Sequence, residues 1–300
     1  MAALRLFCFA LALLPFAVMI FAVWLAKTDW FLRRSMPAYL QMMDAEWNIQ
    51  GRSCDVLVYG DSAALTGLMP WIIQQESGLT TCSIAQTKGT VGVMGTKLLE
   101  KYLQRNPPPQ VLIFAFSPED WRPFHAWGEV AYVEGVLQTV RHGSLREYVA
   151  ALVTHPDEAF GFATFVYKSA IAALAVNPTM TAETLREGHM TLPSPPEQQC
   201  EGNPAHPGPL FAPDAAYAAQ LRNRFAKNGT QVMLLVTPVP QCDPQAAWYA
   251  AHLQGVTDNP LETWPIGLFN DIDRHFTVAG AERFSREVGH KLPSAHGKVE

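Results

Sequence analysis

The sequence predicts an α/β domain, a parallel sheet with helices on both faces. Three observations carry this. Short apolar runs that read as strands alternate with segments of helical spacing. Each strand run closes on glycine or on polar residues, as strand ends do. The apolar runs are continuous rather than alternating, which marks strands covered on both sides. The sheet expected is that of a three-layer α/β/α, flavodoxin-like fold, of order 2-1-3-4-5.

The elements follow in order. "CDVLVYG" (54–60) is the first strand, and residues 63–77 form a helix with Leu65, Leu68, Ile72 and Ile73 on one face. "LTTCSIA" (79–85) is the second strand, followed by a helix over 91–106 that stops at Pro107, Pro108 and Pro109. "QVLIFAF" (110–116) is the third strand, with helical segments over 129–153 and 157–175. Residues 177–210 carry seven prolines and read as an irregular excursion, long enough to be a lid or covering loop. A helix over 213–229 ends at Gly229. "TQVMLLVTPVP" (230–240) is the fourth strand, and helices follow over 244–253 and 278–292.

The composition is that of a globular chain, 49% hydrophobic and 16% charged, and the net charge of -5 excludes a nucleic-acid partner, which requires a basic face. The stretch Leu6–Ala26, "LFCFALALLPFAVMIFAVWLA", holds no charged residue. At 1.5 Å per residue it reaches across a hydrocarbon core of about 30 Å. It is longer than a secretory h-region and lacks a small-x-small cleavage site, so it reads as an uncleaved anchor. The division is then an anchor over 1–27, a juxtamembrane segment over 28–53, the α/β domain over 54–292 with insertions at about 122–210, and a tail over 293–300. Lys27, Arg33 and Arg34 after the span favour a cytoplasmic domain by the positive-inside rule.

Cysteine usage points the other way. Of five cysteines Cys8 is in the span, which leaves Cys54, Cys82, Cys200 and Cys242. Spaced cysteines suit an oxidising compartment. No CxxC pair and no histidine at ligand spacing is present, so no metal site and no cofactor are expected. Cys200 pairs with Cys242 in this reading, which pins the proline-rich excursion over the sheet edge. Cys54 and Cys82, near the starts of neighbouring strands, form a second bridge or remain two buried thiols.

In an open parallel sheet, ligands bind at the carboxyl ends of the strands. There stand "GDS", "AQTKG", "SPEDWRP" and "TPVPQCDP". Ser62 lies where a strand becomes a helix, whose N-terminal N–H groups favour developing negative charge. Asp61 and Ser62 are equally good helix N-caps. A serine nucleophile needs a base. His275, in "NDIDRHFTVAGAERF", precedes a helix that Thr277 caps, with Asp271 and Asp273 beside it to orient the imidazole. "EDWRPFHAW" places Trp121, Arg122, His125 and Trp127 beyond a strand end. Exposed Trp faces stack on sugars and Arg binds anions, while the alternative is two Trp packed under the excursion.

"VLVYGDSAALTG" resembles the first block of the SGNH (GDSL-type) hydrolases, and "DIDRHFTVAGA" resembles their last. The resemblance spans about 54–292. The anchor, "YGDS" and "HFT..GA" together are similar to the membrane-anchored SGNH proteins of envelope polysaccharide O-acetylation, some of which accompany cellulose synthesis, and to the serine protein of teichoic-acid D-alanylation. It implies an O-acyl esterase or acetyltransferase outside the membrane, with a polysaccharide or acylated glycan as substrate and a multi-spanning acyltransferase as partner. The localisation implied is a single-pass protein of the inner membrane with its domain in the periplasm, which together with the cysteines outweighs the charge count. Ser62 would be the nucleophile and His275 the base, oriented by Asp273 or Asp271. Position 272, where the family carries its Asp, is Ile. The oxyanion donors would be Ser62, Gly89 or Gly92, and Ser117 in place of the family's missing Asn. Asp61, Trp121 and Arg122 would contact substrate. A non-catalytic accessory protein that binds glycan or a membrane partner is the other reading.

Overall fold

The computed structural model describes residues 2–123, 133–144, 146, 147, 149, 156–175, 185, 186, 188–192, 200, 210–270 and 274–293. The chain opens with helices α1 (Ala2–Ala26), α2 (Asp29–Ser35) and α3 (Ala38–Glu46). Strand β1 (Val56–Gly60) leads into α4 (Ser62–Gly67) and α5 (Pro70–Ser77), then β2 (Thr81–Ser83). Helices α6 (Lys88–Met94) and α7 (Lys97–Arg105) precede β3 (Val111–Phe116). After a 3-10 turn at Pro118–Asp120 come α8 (Val133–His142) and α9 (Pro156–Ala175). A small antiparallel hairpin joins β4 (Leu185–Arg186) and β5 (His189–Met190). The chain closes with α10 (Ala215–Phe225), β6 (Gln231–Val236), β7 (Val239–Pro240), α11 (Ala246–His252), β8 (Thr263–Trp264) and α12 (Val278–Lys291).

The four-stranded sheet is wholly parallel, in the order β2-β1-β3-β6. Strand side chains alternate between faces. Leu57, Tyr59, Leu112, Phe114, Phe116, Leu234 and Val236 meet α6, α7, α10 and α11 in one core. Val56, Val58, Val111, Ile113, Ala115 and Leu235 meet α4, α5 and α12 in the other. The outer edge of β6 is closed by side chains. Asp258 accepts the Leu234 N–H at 2.8 Å, and Asn259 both accepts from Val236 N–H and donates to its carbonyl at 2.9 Å. The chain then pairs in parallel as β7 with β8.

Two expected helices are each divided in two. The helix expected over 63–77 breaks at Leu68 and Met69, which are extended before Pro70, because the proline ring crowds the residue before it out of helical backbone. The helix over 91–106 breaks at Gly95, at φ 54, a backbone that side chains disfavour.

A third cluster gathers α1, α2, α3, α8 and α9 through Ala22, Phe31, Met43, Leu137, Phe162 and Val166. Arg141 at the end of α8 donates to the Asp44 carboxylate and, at 3.0 Å, to the Ala26 carbonyl that closes α1. His142 meets Asp44 at 2.7 Å and stacks on Trp47. Burial pushes the Asp44 carboxyl up, but the bonds from His142 and Arg141 outweigh it and leave it below the ordinary range. Among the described residues no single helix is long and apolar enough to cross a membrane, and Leu13–Ala26 with Asp29–Ser35, bent by 77°, passes only as a pair.

Candidate active site

Ser62 is the first residue of α4, half-buried, at the carboxyl end of β1. Asp61 is the N-cap. One carboxylate oxygen accepts the Ala63 and Ala64 N–H groups at 2.9 and 3.3 Å, and the other accepts the Ser117 N–H at 2.7 Å. Three expectations are affected. Asp61 is fully buried and ties β1 to the end of β3, so it does not touch substrate. At the helix N-terminus the Ala63 and Ala64 N–H groups are taken by this carboxylate. The Ser117 amide is taken, so it offers no backbone donor to an oxyanion.

His275 sits on a loop closed by an antiparallel bridge between Phe269 and Phe276, by Asn270 N–H to the His275 carbonyl at 2.7 Å, and by Thr277 N–H to the Leu268 carbonyl at 3.0 Å. Thr277 caps α12. The loop is fastened to α4. Thr66 donates to the Ser62 carbonyl at 2.9 Å, and its oxygen accepts the Phe276 N–H at 3.4 Å. Gly67 lets the Phe276 ring lie against α4, since a Cβ there would stand 2.6 Å from the ring. The structure thus fastens Phe276, the residue after His275, to the helix turn that begins at Ser62. Asp271 and Asp273 lie outside the described residues, as do His125 and Trp127.

Beside this pair runs a buried ionic network. Lys88, the first residue of α6, reaches Asp120 at 2.9 Å and Glu119 at 3.2 Å. Arg274 pairs with Glu119 and, at 2.7 Å, with Asp243, beneath the Tyr249 ring. Arg274 holds φ 72, a left-handed backbone unusual for a side-chain-bearing residue, immediately before His275. Burial pushes the Glu119 carboxyl up, but Arg274 and Lys88 outweigh it and hold it below the ordinary value. Burial also pushes Asp120 well above the ordinary range; Lys88 opposes this, and Glu119 and Asp61 add to it. Burial pushes the Tyr249 phenol up to about 12, with Glu119 acting the same way. The signals for these residues in the sequence are "SPED" and "DRH", but no local pattern pairs charges so far apart in the chain.

The remaining expected residues are placed as follows. Gly89 and Gly92 both lie in α6, and the Gly89 carbonyl packs so close to Gly135 that a Cβ there would stand 2.3 Å away. Trp121 is 0% exposed, edge-on to Phe116, which makes it a core residue and not a sugar platform. Arg122 lies over the Phe211 ring at 3.7 Å. Disulfides join Cys54 to Cys82 and Cys200 to Cys242, with Cα separations of 5.9 and 5.7 Å. Cys242 precedes Asp243, so the second bridge ends one residue from the ionic network. His189 was not anticipated. It is buried against α4, facing the Leu65 and Leu68 carbonyls, and burial lowers it to about 4. Among the described residues no group of three His, Cys, Asp or Glu is placed to hold a metal ion.

The fold and site define an α/β protein with a serine and a histidine loop at the carboxyl edge of a parallel sheet. Comparison with family models, curated proteins and solved structures gives no match.

Proposed function

We propose that the chain is a membrane-anchored O-acyl esterase or acetyltransferase of SGNH type, acting on an extracytoplasmic polysaccharide. One observation carries the reading: the loop that bears His275 is hydrogen-bonded through Thr66 to the helix turn that begins at Ser62. In this reading Ser62 Oγ attacks the acyl carbonyl while His275 takes its proton. The ester C–O bond then breaks, and His275 returns the proton to the departing alcohol. Water or a sugar hydroxyl attacks the acyl-serine in the second half. The two disulfides favour an oxidising compartment, and the apolar stretch of α1 supports attachment to the inner membrane. The partner in this reading is a multi-spanning acyltransferase. The test is p-nitrophenyl acetate turnover by the full chain, with and without an acetyl-accepting oligosaccharide, against Ser62→Ala.

A second reading, a non-catalytic accessory protein that holds glycan near the bilayer, is favoured by Asp61. Its carboxylate takes the N–H of Ser117, one of the expected oxyanion donors.

A further inference from the structure

The cluster of α1, α2, α3, α8 and α9 has two sides. On α9, Phe162, Ala163, Val166 and Ala170 face inward and are buried. Beside that face and one to two turns further along, Ile171 and Leu174 are exposed at 67% and 77%. Tyr167 fixes where this side lies: its hydroxyl donates to the Val18 carbonyl of α1 at 2.7 Å, and its ring stacks on Phe21. Around that point α1 exposes Leu14, Phe16, Ile20 and Phe21. The exposed side chains of two helices therefore form one apolar surface. Scattered exposed leucines are ordinary in a soluble protein, but a continuous patch of Phe, Ile and Leu on neighbouring helices is not.

The rim of the patch indicates its occupant. Trp24 and Trp30 are exposed at its edge, and Lys27, Arg33 and Arg34 are exposed just beyond. Apolar side chains, then Trp, then Lys and Arg is the grading of a bilayer from tails to headgroups, and a protein partner has no need of it. In the last two turns of α9 the charged residue is Lys168, exposed, whose long stem lets its ammonium reach the headgroups.

We propose that the last two turns of α9, residues 167–174, lie in the hydrocarbon of a lipid bilayer beside α1. The protein then enters the membrane with two helices, and α8 and α9 rest the α/β domain on the surface. At 1.5 Å per residue those turns reach about 10 Å, the depth to which interfacial helices sink. The proposal rests on α1 being the anchor; it does not depend on the chemistry of Ser62.

The test is spin-label accessibility in the full chain, carrying Cys8→Ser and its native disulfides, in nanodiscs of phosphatidylethanolamine and phosphatidylglycerol. Labels are placed by Phe16→Cys on α1, Ile171→Cys on α9 and Arg286→Cys on α12. Expected is a high oxygen and low nickel-chelate accessibility at 16 and 171, at least tenfold apart in ratio from 286. If 16 is in lipid and 171 matches 286, α9 is in water and the proposal falls while the anchor stands. If 171 is shielded from both reagents, protein covers it and the proposal falls. If both 16 and 171 match 286, the anchor itself falls, and this inference with it.

Discussion

The Thr66 hydroxyl accepts the Phe276 N–H at 3.4 Å while donating to the Ser62 carbonyl at 2.9 Å. Thr66 is 3% exposed, and its bond to the Phe276 N–H is buried. The consequence is positional. The residue after His275 is held to the helix turn that starts at Ser62, and the flanking Gly67 admits the Phe276 ring beside it.

We predict that Thr66→Val, which keeps the shape and removes the hydroxyl, destabilises the fold by about 1–3 kcal/mol, because the Phe276 N–H is left buried without an acceptor. Denaturant unfolding measures it. A change below about 0.3 kcal/mol would show that the hydroxyl does not hold the loop.

Arg274 bears a heavier load. It links Glu119 and Asp243 from a left-handed backbone next to His275. Arg274→Met should cost about 3–5 kcal/mol, since the buried Asp243 side chain loses its cation and Glu119 is left with Lys88 alone. In the proposed enzyme it should also lower kcat more than it raises KM, measured well below the melting temperature. Equal stability of variant and wild type contradicts the network.

Asp120 sets a pH dependence. Its folded-state value lies above its unfolded one, so its contribution to stability is full below about pH 3.9 and is lost as pH rises through the folded value. Asp120→Asn cannot ionise. Its melting temperature should therefore fall less than that of the wild type between pH 5 and 9, and parallel curves would refute the assignment.

The Cys54–Cys82 bridge, closing 28 residues of chain between β1 and β2, should contribute about 3–4 kcal/mol in the chain-entropy model. The double variant Cys54→Ser, Cys82→Ser tests it by chemical unfolding. A loss under about 1 kcal/mol would mean that the bridge constrains little.

The strands and their parallel pairing were legible because continuous apolar runs between Gly and Pro signals admit few other readings. Pro70 and Gly95 are equally visible, but apolar spacing that runs on past them hides the breaks they cause. Ser62 and His275 stood out as chemistry-bearing residues at element junctions. Lys88, Glu119, Asp243 and Arg274 did not, because ion pairs between residues as distant as 119 and 274 follow from tertiary packing and leave no local period. Trp121 misled for a related reason: a Trp after a strand end reads the same whether its ring turns outward or, as here, onto Phe116.

The central claim is that Ser62 and His275 form one acyl-transfer site. The most direct measurement is p-nitrophenyl acetate turnover by the full-length protein and by Ser62→Ala, with matched unfolding curves for both. The account predicts measurable wild-type turnover that falls by roughly 1000-fold or more in Ser62→Ala, the scale of nucleophile removal in serine hydrolases, with stability unchanged. A Ser62→Ala variant that keeps wild-type turnover, or a folded wild type with none, contradicts it.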